Sequence, residues 1–311
     1  MILYFDRLTR AIIIELIGAI PKDTMAAFAN HDTGFGARLR RGDPMMFGTC
    51  VLCPSLEWHR ALSNQPDLDF LFVDTEHIAL DRSQVMNMCQ FYNKGLGLPC
   101  LVRVPGPDPY AATCMLDAGA AGVVTPYTET VAQVQALRGA VKCRPLKGER
   151  LERYLAGGAI EPELEAFVKN RCRDNALVVN IESVPAMKNL DDILKVPDLD
   201  AVLIGPHDLS CSLGVAEQWD HPKFKNACKE ILTKAHAAGV GSGIHCGGEA
   251  TATLEFEQFL VNECDCTMLI HASDVQLFSV GLRNDLARLK SSVGLAAGQP
   301  AGAGGGGDTT I

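Results

Sequence analysis

Eight short apolar runs of strand length recur along this chain, with helical patterns between most of them, and that rhythm limits the possible folds more than any other feature. The runs are Met45 to Leu52, Phe70 to Asp74, Leu101 to Val104, Gly122 to Pro126, Ala176 to Ile181, Ala201 to Gly205, Gly241 to His245 and Thr267 to His271. Helical periodicity is read at Leu80 to Tyr92, Pro109 to Ala118, Thr130 to Ala140, Pro185 to Leu194, His221 to Ala238, Thr251 to Asn262 and Asp274 to Lys290. Alternating β and α units demand a parallel sheet. Runs that are apolar along their length, instead of alternating, suit strands buried on both faces. Eight such units across residues 34 to 290 predict an α/β fold, the (β/α)8 TIM barrel, whose usual length is about 250 residues. An open doubly wound sheet is the competitor, because a sequence shows the number of units better than it shows closure.

The flanks read differently. Residues 1 to 33 carry no sustained pattern, and Asn30-His31-Asp32-Thr33-Gly34 is rich in turn formers, so this stretch is expected to be an N-terminal extension. Residues 291 to 311, with the glycine run Gly304 to Gly307, cannot build a core and are expected to form a disordered tail. The apolar stretch Ala11 to Ile20 is interrupted by Glu15 and is about half the length needed to span a bilayer. No cleavage pattern of small residues follows it, so no secretory signal is expected, while Arg7 and Arg10 leave organelle targeting open.

Charge excludes one class of partner. Lys and Arg number 28 against 37 Asp and Glu, a net charge of −9, and no basic cluster exceeds Arg38-Leu39-Arg40-Arg41. A chain of that balance is not expected to bind nucleic acid. The 12 cysteines are scattered, several inside apolar runs, and a chain of this size needs no disulfide staples, so they read as reduced core residues and suggest a cytoplasmic protein. Cys50 and Cys53 have redox-motif spacing and Cys264 with Cys266 could supply half a zinc site. Neither has a second pair close by.

In a parallel barrel the reacting groups belong at the C-terminal strand ends, where the βα loops converge. Four runs end in charge or amide: Val73-Asp74-Thr75-Glu76-His77, Val102-Arg103-Val104, Val179-Asn180-Ile181-Glu182 and Ile204-Gly205-Pro206-His207-Asp208. Glu182 and Asp208 come from successive strands and offer hard oxygen donors to one spot, which suits Mg²⁺ or Mn²⁺. Alternatively, each caps a local helix or turn. A carboxylate beside His77 would orient its imidazole for proton transfer. Arg103 lies within an apolar strand and must meet an anion, either a structural Asp or Glu or a substrate oxygen. The Gly205-Pro206 turn places backbone N–H groups next to Asp208, a cradle for a carboxylate or phosphate. His245 and His271, at the ends of the last two runs, could face the same pocket.

Taken together, the runs Phe72 to His77, Val102 to Pro105, Asn180 to Leu190 and Ile204 to Ser210 resemble the HpcH/HpaI aldolase/citrate lyase family, in its class II 2-oxo-acid aldolase branch. The similarity extends from about Arg38 to Lys290. It implies a divalent-metal-dependent barrel that cleaves 4-hydroxy-2-oxo acids to pyruvate and an aldehyde. Carried onto this chain, it makes Glu182 and Asp208 the ligands of Mg²⁺ or Mn²⁺, with Co²⁺ an alternative. Arg103 would steady an enolate oxygen, and His77, oriented by Asp74, would move the proton. Glu76 and Asn180 would support the metal site from behind, and Gly205, Pro206, His207 and Asp208 would receive the substrate. Lys147-Gly148-Glu149-Arg150 stands where the family has a Gly-x-Arg loop. The resemblance also implies a homohexamer in which the last helix, with Val275, Leu277, Phe278, Leu282, Leu286 and Leu289, exchanges between neighbours. Departures lie at Asn180, His207 and the stretch Gly243 to Gly248, so the aldehyde partner stays open.

Two other classes compete. A malyl- or citryl-CoA type lyase would want a basic groove for the CoA phosphates, and only Arg138, Lys142, Arg144 and Lys147 offer one. A non-catalytic barrel that binds 2-oxo acids would have no use for Asp74, His77, Arg103, Glu182 and Asp208 together. Lys188, on the helix after the fifth run, reads as solvated, which argues against imine chemistry.

Overall fold

Every apolar run becomes a strand, and each strand lies parallel to its neighbours. The computed structural model describes residues 34–42, 44–247 and 253–295. The strands are β1 (Met46–Val51), β2 (Phe70–Asp74), β3 (Cys100–Arg103), β4 (Gly122–Thr125), β5 (Ala176–Asn180), β6 (Ala201–Ile204), β7 (Gly241–Cys246) and β8 (Met268–Ser273). They pair in sequence order, and β8 returns to β1, so the sheet closes into a barrel and the open doubly wound alternative is excluded. No helix among the described residues is long and apolar enough to cross a membrane.

Side-chain alternation along a strand divides the apolar residues into two cores. Phe70, Phe72, Leu101, Val124, Val178, Leu203, Met268 and Ile270 point into the barrel. Their neighbours Leu71, Val73, Val102, Val123, Val179 and Val202 point outward against the helices. This two-sided burial explains why the runs show no polar alternation. Helix α1 (Phe35–Arg41) plugs the N-terminal mouth with Phe35 and Leu39. There the fully buried Asp200 is held by Arg40, by Lys142 Nζ at 2.5 Å and by the Leu177 N–H at 2.7 Å, a structural cluster far from the strand ends that carry the site.

The helices largely follow the expected pattern. They are α2 (His59–Leu62), α3 (Arg82–Met88), α4 (Pro109–Ala118), α5 (Val131–Lys142), α6 (Gly148–Leu155), α7 (Pro162–Cys172), α8 (Val184–Lys188), α9 (Leu190–Ile193), α10 (Pro206–Ser212), α11 (Pro222–Ala237), α12 (Leu254–Glu263) and α13 (Asp274–Ser292). The expected helix over Leu80 to Tyr92 instead passes from α3 into a π-helical turn at Cys89–Gly95. Helices α6 and α7 were not expected. Their sequence is highly charged and interrupted by Gly157-Gly158, and they cover a small core of their own around Cys143, Leu146 and Val168. Gly148 and Arg150 therefore sit on a helix and not in a Gly-x-Arg loop, and Arg150 pairs with Glu161 at the surface.

All twelve cysteines are free, and Cys50 is enclosed in the barrel while Cys53 lies beyond the strand. Among the described residues no three His, Cys, Asp or Glu side chains gather closely enough to hold a metal unaided. Helix α13 runs two residues past the expected barrel end at Lys290. Residues 1–33 and 296–311, expected as extension and tail, lie outside the described residues. Along α13 only Asp274 is buried, and Phe278 and Leu289 are about 60% exposed (60% and 58%).

Candidate active site

Counting by twos along the inward-facing positions leads directly to the site. Asp74 follows Phe72, Arg103 follows Leu101, Asn180 follows Val178, and His245 follows Gly243, each two residues on and therefore on the interior face. The same step carries from Asn180 to Glu182 and from Leu203 to Gly205 just beyond β5 and β6. The strand ends thus deliver polar groups to the mouth of an apolar barrel.

Register sets the first interaction. Asp74 lies beside Arg103 across β2 and β3, and the fully buried carboxylate accepts Nε at 2.8 Å and Nη2 at 2.7 Å. Such a two-pronged pair is the geometry a guanidinium favours. Burial alone would raise the Asp74 pKa, but the Arg103 bonds and charge outweigh it and hold the carboxyl below its ordinary value. The third nitrogen, Nη1, stands 3.1 Å from Glu76 Oε2. Arg103 has five N–H groups, and Asp74 takes two of them while Glu76 Oε2 accepts none, so three remain unbonded beside the cavity it lines.

His77 is not oriented by Asp74, contrary to the expectation from sequence. Both Asp74 oxygens face Arg103, and the carboxylate facing His77 belongs to Glu76, with Oε2 3.7 Å from Nε2. Glu76 is pushed above its ordinary pKa by burial, against the pull of Arg103.

Glu182 is buried and fixed at both oxygens. The Tyr127 N–H donates to Oε1 at 2.7 Å, and Asn180 Nδ2 donates to Oε2 at 2.8 Å. Tyr127 adopts a left-handed backbone, φ 53°, a conformation that costs a side-chain-bearing residue about 1–3 kcal/mol and recurs where function demands it. Glu182 does not cap α8. Ser183 does, its Oγ accepting the Ala186 N–H. Gly205 touches the same carboxylate: a Cβ there would lie 2.5 Å from Glu182 Oε2. Asp208 occupies the first turn of α10, whose cap position is Gly205.

Two adjoining cavities share Asp208 as a wall. The larger, about 400 Å³, takes in His77, Arg103, Asn180, Gly205, Pro206, His207 and His245. The smaller, about 190 Å³, takes in Tyr127, Glu129, Glu182 and Asp208. Burial raises the Glu182 pKa, and the charges of Asp208 and Glu76 raise it further. The charges of Glu182, Asp208 and Glu76 thus bear on one another, and the buried Asn180 Oδ1, on the residue that donates to Glu182, has no hydrogen-bond partner. This donor set fits a divalent cation, which would relieve the mutual repulsion and take its remaining ligands from water and substrate.

His245 lines the larger cavity against the Phe72 ring at 5.4 Å. Burial, aided by Arg103, pushes its pKa down to about 4. His271 turns outward to Glu257 at 3.0 Å. Lys188 is exposed on α8 and in neither cavity wall. Sequence reasoning overlooked Tyr127, Glu217 and Trp219. Tyr127 directly follows the fourth run but carries no charge to mark it. Glu217 and Trp219, brought in by the loop after α10, carry no sequence signal.

Known proteins resemble this chain along most of its length. The HpcH/HpaI aldolase/citrate lyase model matches residues 63–249. A hydroxypyruvate/pyruvate aldolase of Rhizorhabdus wittichii is 31% identical over 240 residues, covering 75% of this chain and 92% of the relative. A 4-hydroxy-2-oxo-heptane-1,7-dioate aldolase of Shigella flexneri is 25% identical over 264 residues, 84% of this chain and 98% of the relative. Among solved structures, an HpcH/HpaI aldolase/citrate lyase family protein from Burkholderia cenocepacia superposes with a TM-score of 0.66 at 25% identity, over 82% of this chain and 98% of its own.

Proposed function

The chain belongs to the HpcH/HpaI aldolase/citrate lyase family, and from that premise we propose that it is a carbon–carbon lyase, a class II pyruvate aldolase that reversibly cleaves a 4-hydroxy-2-oxo acid to pyruvate and an aldehyde. The observation that carries this reading is the wall of the smaller cavity that buried Glu182 shares with Asp208, within the charge of Glu76, which itself pairs with Arg103. Glu182 and Asp208 hold the divalent cation, Mg²⁺ or Mn²⁺. Bound there, the cation supplies Lewis acidity toward the 2-oxo-acid end of the substrate.

The residues of the chain do the rest. His77 accepts the C4 hydroxyl proton as the C3–C4 bond breaks, and the electron pair passes to the pyruvate half as an enolate. Arg103, locked by Asp74, turns its remaining N–H groups to the enolate oxygen, in a pocket where such bonds are strong. The proton then returns to C3 and pyruvate leaves. Glu76 keeps His77 and Arg103 in one field of charge. The first-turn N–H groups of His207 and Asp208, which have no partner within the helix, receive the substrate carboxylate. Asn180 and Tyr127 hold Glu182 still.

The apolar side of α13 suits a second copy of this chain, so we read the protein as a homo-oligomer, with the hexamer as its expected form. Twelve free thiols suit a reducing compartment such as the cytoplasm.

The test is pyruvate release from a panel of 4-hydroxy-2-oxo acids by metal-stripped protein, with and without restored Mg²⁺, Mn²⁺ or Co²⁺. The reading predicts metal-dependent release that Glu182→Ala abolishes. A folded protein that releases pyruvate equally well without metal, or that releases none from any 4-hydroxy-2-oxo acid with any of these metals, would overturn it.

A further inference from the structure

At the mouth of the barrel opposite the candidate site, one buried anion is served by two cations from different parts of the fold. Asp200, just before β6, has no exposed surface. Lys142, the last residue of α5, brings Nζ to 2.5 Å from Oδ2, and Arg40 of α1 pairs with Oδ1. The Leu177 N–H donates to Oδ2 at 2.7 Å. Lys142 belongs to the barrel wall, because Nζ also donates to the Asn175 carbonyl at 2.6 Å, whereas Arg40 belongs to the helix that plugs the mouth.

That helix is attached by side chains alone. The Arg38 N–H donates to the Gly34 carbonyl and the Gly42 N–H to the Arg38 carbonyl, and among the described residues no backbone-to-backbone hydrogen bond joins α1 to the barrel. Phe35 and Leu39 fill the mouth, and Arg38 pairs with Asp69 at 2.7 Å. Gly36 lies against the anion, where a Cβ would stand 2.5 Å from Asp200 Oδ1. Stripping a buried charge of its only partner shifts an equilibrium by roughly a hundredfold or more. A helix that carried off the sole counter-ion of Asp200 would open against that penalty. Lys142 removes it, since with α1 away the ammonium and the Leu177 N–H still serve the carboxylate. In the closed form the two cations repel each other. Burial and the charge of Arg40 push the Lys142 pKa down to about 8, so the ammonium keeps its proton at pH 7.

We propose that α1 is a separable plug, which leaves and re-enters the N-terminal mouth as a unit while the barrel stays closed, and that Lys142 is the reserve counter-ion of Asp200 in the open form. Contiguous pieces of a fold open in this way at free energies below that of global unfolding. Residues 1–33 join the barrel through this piece, and α1 lines neither cavity of the candidate site.

Amide hydrogen exchange of the full chain at pH 7, read by mass spectrometry, compares residues 38–42 with β5 and β6 in the same molecule. In the wild type, residues 38–42 are expected to exchange roughly a hundredfold or more faster than the two strands, each rate being corrected for its unfolded-chain value. The two cations then act with opposite signs. Arg40→Gln removes a contact of the closed form and should speed exchange of residues 38–42 about tenfold, with β5 and β6 unchanged. Lys142→Met keeps the buried stem, leaves the open form without a counter-ion and ends the repulsion in the closed form, so exchange of residues 38–42 should slow about tenfold. A merely structural lysine would loosen α1 instead. Exchange of residues 38–42 in step with β5 and β6 in the wild type, or unmoved by Arg40→Gln, overturns the separable plug. Unchanged or faster exchange in Lys142→Met overturns the reserve role. Loss of β5 and β6 protection in Arg40→Gln overturns that role as well, so the test stands even where Lys142→Met fails to fold.

Discussion

Replacing Gly205 by alanine adds a single methyl group to the part of the site on which the account most depends. The backbone there, φ −86° and ψ 98°, is open to any residue, so the effect is steric alone. The new Cβ would stand 2.5 Å from Glu182 Oε2, where ordinary contact begins at 3.4 Å. The carboxylate must therefore retreat by roughly 0.9 Å. It cannot do so freely, because Asn180 Nδ2 holds Oε2 at 2.8 Å and the Tyr127 N–H holds Oε1 at 2.7 Å. Working constellations tolerate about 0.5 Å of displacement, and about 1 Å can cost a hundredfold in rate. Losing one charge-assisted hydrogen bond costs about 1.5–3 kcal/mol of stability, or roughly 3–12 °C in Tm for a domain approaching this size. Gly205→Ala is thus expected to fold, to bind Mn²⁺ about tenfold more weakly in a titration followed by electron paramagnetic resonance, and to lose about a hundredfold in pyruvate formation. Wild-type Mn²⁺ affinity together with wild-type turnover would refute the placement of Glu182 as a pinned metal ligand.

Three further outcomes follow from the same geometry. Asp74→Asn leaves the Arg103 guanidinium buried with a weakened partner, so urea unfolding should show a loss of roughly 3 kcal/mol, and unchanged stability would contradict the buried pair. His245 is held neutral in the fold, its pKa lowered from 6.5 to about 4, first by burial and then by Arg103. The unfolded chain binds this proton first, so stability should fall as pH drops from about 6.5 toward 4, by about 3 kcal/mol at most, and His245→Phe should flatten that limb of the curve. Phe278→Asp with Leu282→Asp on the exposed face of α13 should shift the protein to smaller species in mass photometry, and an unchanged mass would remove α13 from the interface.

The sequence carried the barrel almost complete, because two-sided burial writes a strand as an apolar run and the helices write the gaps between. Strand-end reasoning also singled out Asp74, Glu76, Arg103, Asn180 and Glu182, which the structure joins in ion pairs and hydrogen bonds at the strand ends. What it misjudged was who faces whom. Asp74 stands close to His77 along the chain, yet sheet register turns it across to Arg103, and the anion that a buried arginine requires was already among the residues singled out for another role. Helices α6 and α7 were missed because a dense charge pattern hides a narrow apolar stripe. Tyr127 and Glu217 were beyond reach for a different reason: their left-handed backbones are imposed by tertiary contacts, and no local preference announces them.

The central claim is that Glu182 and Asp208 hold a cation under which this barrel forms the enolate of pyruvate. Incubating pyruvate with the protein in D₂O and following loss of the methyl proton signal tests that step without any aldehyde. The account predicts exchange that requires Mg²⁺ or Mn²⁺, stops in metal-stripped protein, and falls at least a hundredfold in Glu182→Gln. Exchange at an equal rate without metal, or undiminished in Glu182→Gln, would contradict it.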